Sequence, residues 1–143
     1  MAEASRTQVY DVDTEKLYNT IVDYETYPKF VAGVDSVKIN KKNEQGAEVE
    51  YSLNLIKEFN YTLEMKHRPH TEVTWSLKSG DIFKKNNGSW ILKNLGENKT
   101  EVTYKLELDF KLLVPKMMLN KLAASNLPSM MDKMVARAQE RKK

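Results

Sequence analysis

The strongest constraint in the sequence is a regular alternation of apolar and polar residues along its middle. Four runs between residues 48 and 110 repeat it, and their apolar positions are Val49, Tyr51, Leu53 and Leu55; Phe59, Tyr61, Leu63 and Met65; Val73, Trp75 and Leu77; and Val102, Tyr104, Leu106, Leu108 and Phe110. A period of two predicts strands with one dry and one wet face. Such strands are typical of antiparallel sheets, because parallel strands are usually covered on both faces.

Short polar segments separate these runs, and most contain the Gly, Asn or Pro that hairpin turns require. These segments are residues 43–46, 57–58, 69–71 and 96–99. Further strands are predicted to complete an antiparallel sheet of about seven strands, at residues 6–10, 34–41 and 88–95.

The alternation is interrupted between the third and fourth of these runs. Gly80 predicts a bulge or bend that lets the sheet change direction, and the pair Asn87-Gly88 is typical of a tight turn. We expect Phe83 and Trp90, which flank that pair, to close over one edge of the sheet's dry face.

Two short helical segments are predicted after the first strand. Asp13 is a good N-cap for a helix over residues 14–23, which carries Leu17 and Ile21 on one face. A second short turn over residues 24–30 is interrupted by a proline.

The C-terminal part of the chain predicts one long helix, from Pro115 to about residue 141. Pro128 lies inside it, so a kink or break is expected at residues 125–127. The apolar stripe of this helix contains Leu119, Leu122, Leu127, Met130, Met131 and Met134.

These elements predict a cavity. A sheet of about seven strands is about 30 Å wide, whereas a helix with its side chains is only about 10–12 Å across. One helix cannot cover such a sheet, so the sheet must curl around it and the short helices must close an open end. The sequence therefore predicts one α+β domain over residues 1–143 with a pocket between the sheet and the helix.

The side chains that face this pocket suit a hydrophobic ligand. Several are large rings with one polar tip, and five of the seven methionines, which adapt to irregular shapes, lie on the C-terminal helix. Ordinary core packing is the alternative explanation for each of them. The predicted ligand-binding residues are Tyr51, Leu53, Tyr61, Leu63, Trp75, Phe83, Trp90, Tyr104, Leu106, Leu119, Leu122, Leu127, Met130, Met131 and Met134.

Composition narrows the class of protein. The chain has no cysteine, which excludes disulfides, a thiol nucleophile and a zinc–thiolate site. Its net charge of +3 does not indicate a DNA partner. The basic tail, residues 137–143, either complements the helix dipole or contacts a partner. No signal peptide and no apolar run of about 18 residues is present, so a cytoplasmic protein without a transmembrane segment is expected.

No catalytic constellation is evident. His67 and His70 flank a hairpin turn without a cluster of carboxylates nearby, so neither a metal site nor a cofactor is predicted. The acids of the strands alternate outward, and only those in connections, such as Asp23, Glu25 and Asp81, could reach the mouth of a pocket. An acid–base enzyme would need such a group inside the pocket.

Two motifs resemble a known family. Residues 23–39, DYETYPKFVAGVDSVKI, are similar to the D-x-E-x-Y-P-x-F-V-x-x-V-x-x-V-x-V pattern of the polyketide cyclase/dehydrase-like branch of the START/SRPBCC superfamily. Phe83, Gly88 and Trp90 match the F-x(4)-G-x-W of that branch. The resemblance covers nearly the whole chain and implies the helix-grip fold, in which a curved antiparallel sheet wraps around a long C-terminal helix. It also implies a hydrophobic ligand held between them.

The resemblance leaves the function open, because a fold does not fix an activity. The branch includes coenzyme-Q-binding START-like proteins and the bacterial ribosome-association toxin. The first hypothesis is a carrier or sensor of a lipid, quinone or polyketide-like molecule. The second is a binding module for the ribosome, RNA or a protein partner, and the third is an aromatase/cyclase or dehydratase.

Overall fold

Seven strands form one antiparallel sheet in the part of the chain that the computed structural model describes, namely residues 2–29, 34–54, 58–111 and 127–141. The strands are β1 (Ala2–Tyr10), β2 (Val34–Asn43), β3 (Gly46–Asn54), β4 (Glu58–Arg68), β5 (Glu72–Gly80), β6 (Phe83–Gly96) and β7 (Lys99–Phe110). Their order in the sheet is β1-β7-β6-β5-β4-β3-β2, so β1 and β2 form its two edges. The predicted helix-grip arrangement is confirmed.

Three helical segments accompany the sheet in the described residues. Helix α1 (Thr14–Ile21) and a 3-10 helix (Tyr24–Lys29) follow β1, and helix α2 (Leu127–Glu140) lies at the C-terminal end. The Asp13 carboxylate accepts a hydrogen bond from the backbone N–H of Lys16 at 3.1 Å, as expected of an N-cap.

The alternation in the sequence becomes the inner and outer faces of the sheet. Strand pairing sets inward residues side by side, with Tyr51 opposite Tyr61 and Trp90 opposite Tyr104. Of these four, Tyr61 is partly buried and the others are buried in the hydrophobic core. The sheet therefore has one continuous apolar face.

The predicted turn at Asn87-Gly88 is wrong, because both residues lie inside β6. Gly88 pairs with Trp75 on β5 and with Leu106 on β7. A Cβ at residue 88 would overlap the Trp75 indole ring and the backbone oxygen of Lys105. Glycine is needed here for the close approach of that ring and not for a reversal of the chain.

The reversal between β5 and β6 occurs at Asp81 and Ile82 instead. Asp81 holds this bend against β4, since its backbone N–H donates to the Asn60 carbonyl at 3.0 Å and its carboxylate accepts from the Asn60 N–H at 3.1 Å. The register between β4 and β5 shifts opposite Thr62 and Leu63, so an irregularity lies close to the predicted bend at Gly80.

Two of the predicted strands are longer in the structure. The N-terminal strand was expected over residues 6–10 and begins at Ala2, where it pairs with Leu108 of β7. The strand expected over residues 88–95 begins at Phe83. Both extensions follow from pairing with β7, which a local pattern of residues does not report.

Helix α2 is fastened to the N-terminal part of the chain at two points. In its first half the Asp132 carboxylate accepts a hydrogen bond from the Tyr10 hydroxyl at 2.7 Å. Near its end Gln139 donates to the Asp11 carbonyl at 2.8 Å. Its buried face, which packs on α1 and β1, consists of Met131, Met134, Val135 and Ala138.

Pro128 lies in the first turn of α2, a position that accepts proline because no helical hydrogen bond is lost there. The earlier part of the predicted helix, residues 115–126, lies outside the described residues. The kink expected at residues 125–127 therefore stays a prediction.

The close packing at Gly88 gives a test of the inner face. We expect Gly88→Ala to lower the free energy of unfolding by about 1–3 kcal/mol, because the added methyl group forces the Trp75 ring or the β7 backbone to move. Urea denaturation monitored by circular dichroism measures this change. Ser89→Ala, one residue along the same strand, should change the free energy by less than about 0.5 kcal/mol. Equal effects of both substitutions would contradict this account of Gly88.

Candidate functional site

The candidate site is the inner face of the sheet, where the structure places most of the predicted ligand-binding residues. The buried members are Tyr51, Leu53, Leu63, Trp75, Phe83, Trp90, Tyr104, Leu106, Met131 and Met134, and the partly buried ones are Tyr61 and Met130. Leu119 and Leu122 lie outside the described residues, and of Leu127 only its place in α2 is described. Ligand contact by any of them stays a prediction.

A row of aromatic rings crosses this face. Tyr51 and Tyr61 stack with their ring centres 5.1 Å apart and their planes at 17°. The edge of Phe83 meets Tyr61 at 5.0 Å, and Tyr27 continues the row on the other side at 6.3 Å from Tyr51. The 3-10 helix thereby joins the sheet through an aromatic contact.

A second aromatic group lies around Tyr104 on β7. Its ring lies 5.5 Å from Trp75 and 4.7 Å from Trp90, which meets it edge to face. The Trp75 indole N–H donates to the Asn86 side-chain oxygen at 3.2 Å. Both tryptophans of the chain therefore lie in the candidate site.

The methionines of α2 lie where this helix packs. The sequence predicts that they line the pocket, and the described part of α2 packs against α1 and β1. The Met131 sulfur lies 3.8 Å from the Arg6 guanidinium on β1. Met131 and Met134 are thus fully buried in helix packing near one edge of the sheet.

The hydroxyl groups of five tyrosines on the sheet and the 3-10 helix fall into two classes. The Tyr24 hydroxyl bonds to His67 at 2.7 Å, and the Tyr27 hydroxyl donates to the Ile21 carbonyl at 2.5 Å. These two hydroxyls form the partnered class. The hydroxyls of Tyr51, Tyr61 and Tyr104 form the second class and have no hydrogen-bond partner among the described residues.

These three unpartnered hydroxyls indicate free space inside the molecule. Within the described ranges, no side-chain nitrogen or oxygen that is sealed from solvent lacks a hydrogen-bond partner. Each of the three oxygens therefore borders space that water or a ligand can enter, although its ring is deep in the protein.

The fully buried side chains around these hydroxyls carry no charge in the described residues, whereas the partly buried Arg6 of β1 pairs with Tyr104 at one side of this face. Burial raises the pKa of Tyr51, Tyr61 and Tyr104, and neighbouring phenols add to the increase at Tyr51 and Tyr104, so all three stay protonated at neutral pH. The buried polar side chains of the described residues are Thr, Ser, His and Asn, with no Lys, Arg, Asp or Glu among them. The site can donate hydrogen bonds from its tyrosines, and its described margin includes the Arg6 guanidinium.

His67 is not the turn residue that the sequence predicts. It lies in β4 and is buried, with its ring stacked on Tyr24 at 5.9 Å. Burial lowers its pKa, and the nearby Asn43 backbone partly opposes that change. His67 therefore fixes the 3-10 helix to the sheet, whereas His70 is an exposed turn residue with a φ of 65°.

The structure does not assemble a catalytic or metal site in the described residues. No three side chains of the His, Cys, Asp or Glu type lie close enough there to hold a metal ion. Asp23 pairs with Arg141 at 3.3 Å, Asp81 accepts from Asn60, and Glu25 is exposed. The acids considered from the sequence thus serve structural contacts or face solvent.

Two residues of the site escaped the sequence interpretation. Asn86 lies on the same face of β6 as Gly88 and Trp90, two and four residues along the strand. This spacing marks it as inward-facing, but a search for alternating apolar residues passes over an asparagine. Tyr27 lies in the 3-10 helix, where no alternation marks its inward direction.

A polar groove of about 540 Å³ lies at the hairpin ends of the sheet. It contains none of the predicted ligand-binding residues, and its lining is unsuited to a hydrophobic ligand. The lining residues are Gln45, Lys66, His67, Arg68, Glu72 and Thr74.

A curved antiparallel sheet with two short helical segments after its first strand and a C-terminal helix defines a helix-grip protein of START-like fold. Residues 10–135 match the family described as polyketide cyclase / dehydrase and lipid transport. The chain belongs to this family, in agreement with the motifs in its sequence. A comparison with curated protein sequences gave no match.

Solved structures share this fold at low sequence identity. A START superfamily protein from Mycobacterium smegmatis is 20% identical with a TM-score of 0.80, over 96% of this chain and 97% of that one. A protein from Thermus thermophilus is 17% identical with a TM-score of 0.81, over 99% and 100%. The Zhui aromatase/cyclase from Streptomyces sp. R1128 is 12% identical with a TM-score of 0.68, over 96% and 86%. None of the described helices is long and apolar enough to cross a membrane.

The raised pKa values predict how the tyrosines titrate. Burial favours the neutral phenol and raises the pKa of Tyr27 and Tyr51 in the folded state. These phenols therefore stabilise the folded state fully below pH 10, and their contribution to the free energy of unfolding is lost as the pH rises above that value. We expect tyrosinate absorbance of the folded protein to rise together with the loss of circular dichroism, in one step above pH 10. The urea-unfolded chain should titrate near pH 10. Ionisation of Tyr51 near pH 10 without unfolding would contradict the burial.

Proposed function

We propose that the protein binds a hydrophobic small molecule between the inner face of the sheet and the C-terminal helix, as a carrier or sensor. The observation that carries this proposal is the set of three unpartnered tyrosine hydroxyls on a buried aromatic face. In a packed core, each hydroxyl without a hydrogen-bond partner would lower the free energy of unfolding by about 1–3 kcal/mol. Hydroxyls that border space for a ligand avoid this cost. The family, with its description of polyketide cyclase / dehydrase and lipid transport, supports a lipid, quinone or polyketide-like ligand.

Binding without catalysis agrees best with the groups present. The buried side chains of the described residues include no carboxylate, and the buried histidine bonds to the Tyr24 hydroxyl. An aromatase/cyclase or dehydratase would need a free acid or base beside the ligand. The likeness to the Zhui aromatase/cyclase concerns the fold alone.

The proposal of a ribosomal or protein partner rests on the basic tail, and the structure gives part of that tail another role. Arg141 pairs with Asp23, and the neighbouring Gln139 donates to the Asp11 carbonyl, so both help to fasten α2. Surface recognition is therefore the weaker proposal.

Native mass spectrometry of gently purified protein tests ligand binding directly. We expect a fraction of the protein to carry an extra mass that is absent after denaturation, and extraction with organic solvent should recover the same molecule. Protein that is repeatedly free of any bound molecule, and that also fails to bind a neutral hydrophobic dye such as N-phenyl-1-naphthylamine, would overturn the proposal.

Removal of the ligand should also lower the stability of the fold. A ligand present at about 100 times its dissociation constant stabilises the folded state by about 2.7 kcal/mol, which corresponds to about 5–10 °C in Tm for a chain of this size. We expect protein refolded from urea to melt lower by this amount, and the extracted molecule to restore the original Tm. Equal melting of native and refolded protein would indicate that nothing was bound.

A further inference from the structure

We infer that His67 and Tyr24 form an acid-sensitive latch, which holds the 3-10 helix on the sheet while the His67 ring is neutral and loosens it when that ring takes up a proton. The latch lies at the closed end of the fold, where Tyr18 of α1 and Tyr24 meet β4. It goes beyond the proposed function, because it operates with or without a bound ligand.

The His67 ring joins three elements of the fold. It lies in β4, stacks on Tyr24 of the 3-10 helix with the ring centres 5.9 Å apart, and meets the edge of Tyr18 of α1 at 6.4 Å. Its Nε2 atom lies 2.7 Å from the Tyr24 hydroxyl oxygen. Both side chains of this hydrogen bond are buried, so water does not readily replace either partner.

The hydrogen bond satisfies the Tyr24 hydroxyl only while His67 is neutral. Burial raises the pKa of Tyr24, so the hydroxyl keeps its proton and needs an acceptor. A neutral imidazole with an unprotonated Nε2 supplies that acceptor, whereas an imidazolium ring only donates. Protonation of His67 therefore takes away the acceptor, and the described residues offer the Tyr24 hydroxyl no other hydrogen bond.

The surroundings of His67 oppose a positive charge on its ring. Burial lowers its pKa, the Asn43 backbone partly opposes this change, and the Lys42 ammonium of β2 adds to it. Lys42 is held close by, since it donates to the Val22 carbonyl at 2.7 Å and lies 5.6 Å from the centre of the Tyr24 ring. A protonated His67 would therefore be a second cation at this place.

No carboxylate of the described residues offsets that charge, because none contributes to the pKa of His67. Two nearby acids are engaged elsewhere: Glu15 pairs with His70 at 4.0 Å, and Asp23 pairs with Arg141 at 3.3 Å. The other charged side chains of the adjoining segments do not contribute to the pKa of His67 either, and these are Lys16, Glu25, Lys29, Glu44, Lys66, Arg68 and Glu72.

Release of Tyr24 reaches the inner face of the sheet through Tyr27. The two tyrosine rings of the 3-10 helix lie 5.6 Å apart, and Tyr27 lies 6.3 Å from Tyr51 in the aromatic row. Helix α1 is held separately because it packs on α2, and the 3-10 helix also lies against β2. Opening of the latch therefore loosens the 3-10 helix at the end of the aromatic row without detaching the rest of the domain.

The direction of the pH effect follows from the lowered pKa. A released His67 takes up its proton near pH 6.5, whereas the latched ring takes it up only at a lower pH. The latched state is therefore fully favoured above pH 6.5 and becomes less favoured as the pH falls. Its equilibrium with the open state changes by up to about tenfold for each pH unit, until the latched ring is itself protonated.

Hydrogen exchange and ring titration, both measured by NMR on the full chain without added ligand, test the latch. We expect the His67 ring to titrate below pH 6.5. The Thr26 amide donates to the Asp23 carbonyl at 3.2 Å inside the 3-10 helix, and its protection factor should fall by up to about tenfold for each pH unit below 6.5. The indole N–H signals of Trp75 and Trp90 should keep their native positions over the same range.

A double substitution removes the titrating group and keeps the ring packing. In His67→Phe/Tyr24→Phe two apolar rings replace the hydrogen-bonded pair, so neither partner is left unsatisfied. We expect the Thr26 protection factor to become independent of pH between about 7.5 and 5.5. If circular dichroism shows that this variant is unfolded, His67→Gln takes its place, because glutamine can accept a hydrogen bond and does not titrate.

The matched control is His70→Asn. His67 and His70 are the two histidines of the sequence, so this variant also assigns their ring signals. His70 is exposed in a turn with a φ of 65°, a conformation that asparagine tolerates. The pH dependence of Thr26 protection should survive this substitution.

Three results would overturn the latch. The first is a His67 ring that titrates at or above pH 6.5, or that is protonated without any loss of Thr26 protection. The second is loss of the indole signals together with that protection, since the whole sheet then unfolds. The third is a pH dependence that persists in the non-titrating variant or disappears in His70→Asn. A failure to bind hydrophobic molecules would refute the proposed function and leave these readouts unchanged.

Discussion

The structure depends on an imbalance of area between one apolar sheet face and the helices available to cover it. Seven paired strands place a continuous row of inward side chains across the sheet, and the described part of α2 packs on α1 and β1 at one side. Aromatic side chains fill much of the remaining face, since they bury the most surface per residue. The tyrosines, tryptophans and phenylalanines thus take the place that a second layer of helices holds in other folds.

Phenol groups on such a face serve two roles that the structure keeps apart. Where the 3-10 helix and α1 cover the sheet, tyrosine hydroxyls bond to protein groups and fix the covering elements, as Tyr24 does with His67. Farther along the face, at Tyr51, Tyr61 and Tyr104, the hydroxyls have no partner among the described residues. The same residue type therefore builds the closed end of the fold and supplies polar groups to its interior.

The sequence was sufficient for the architecture and for most of the buried wall, because period-two alternation reports directly which side of a strand is dry. The sequence was misleading at residues whose conformation is set by contacts with distant parts of the chain. Asn87-Gly88 has the composition of a turn, but Gly88 serves the close approach of Trp75. His67 stands next to a turn, yet its contact with Tyr24 joins residues 43 positions apart, which no local pattern reports. Asn86 was overlooked because an inward amide looks like an outward one in a hydropathy pattern.

The position of β1 at the edge of the sheet, beside β7, has a consequence for how the molecule is made. Ala2 pairs with Leu108, so β1 finds its neighbour only after β2 to β7 have been synthesised. Contacts this distant in sequence slow folding, because a long loop must close before they form. The apolar face of the growing β-meander stays uncovered in the meantime, so the incompletely folded chain exposes surface that promotes aggregation and that the finished fold buries.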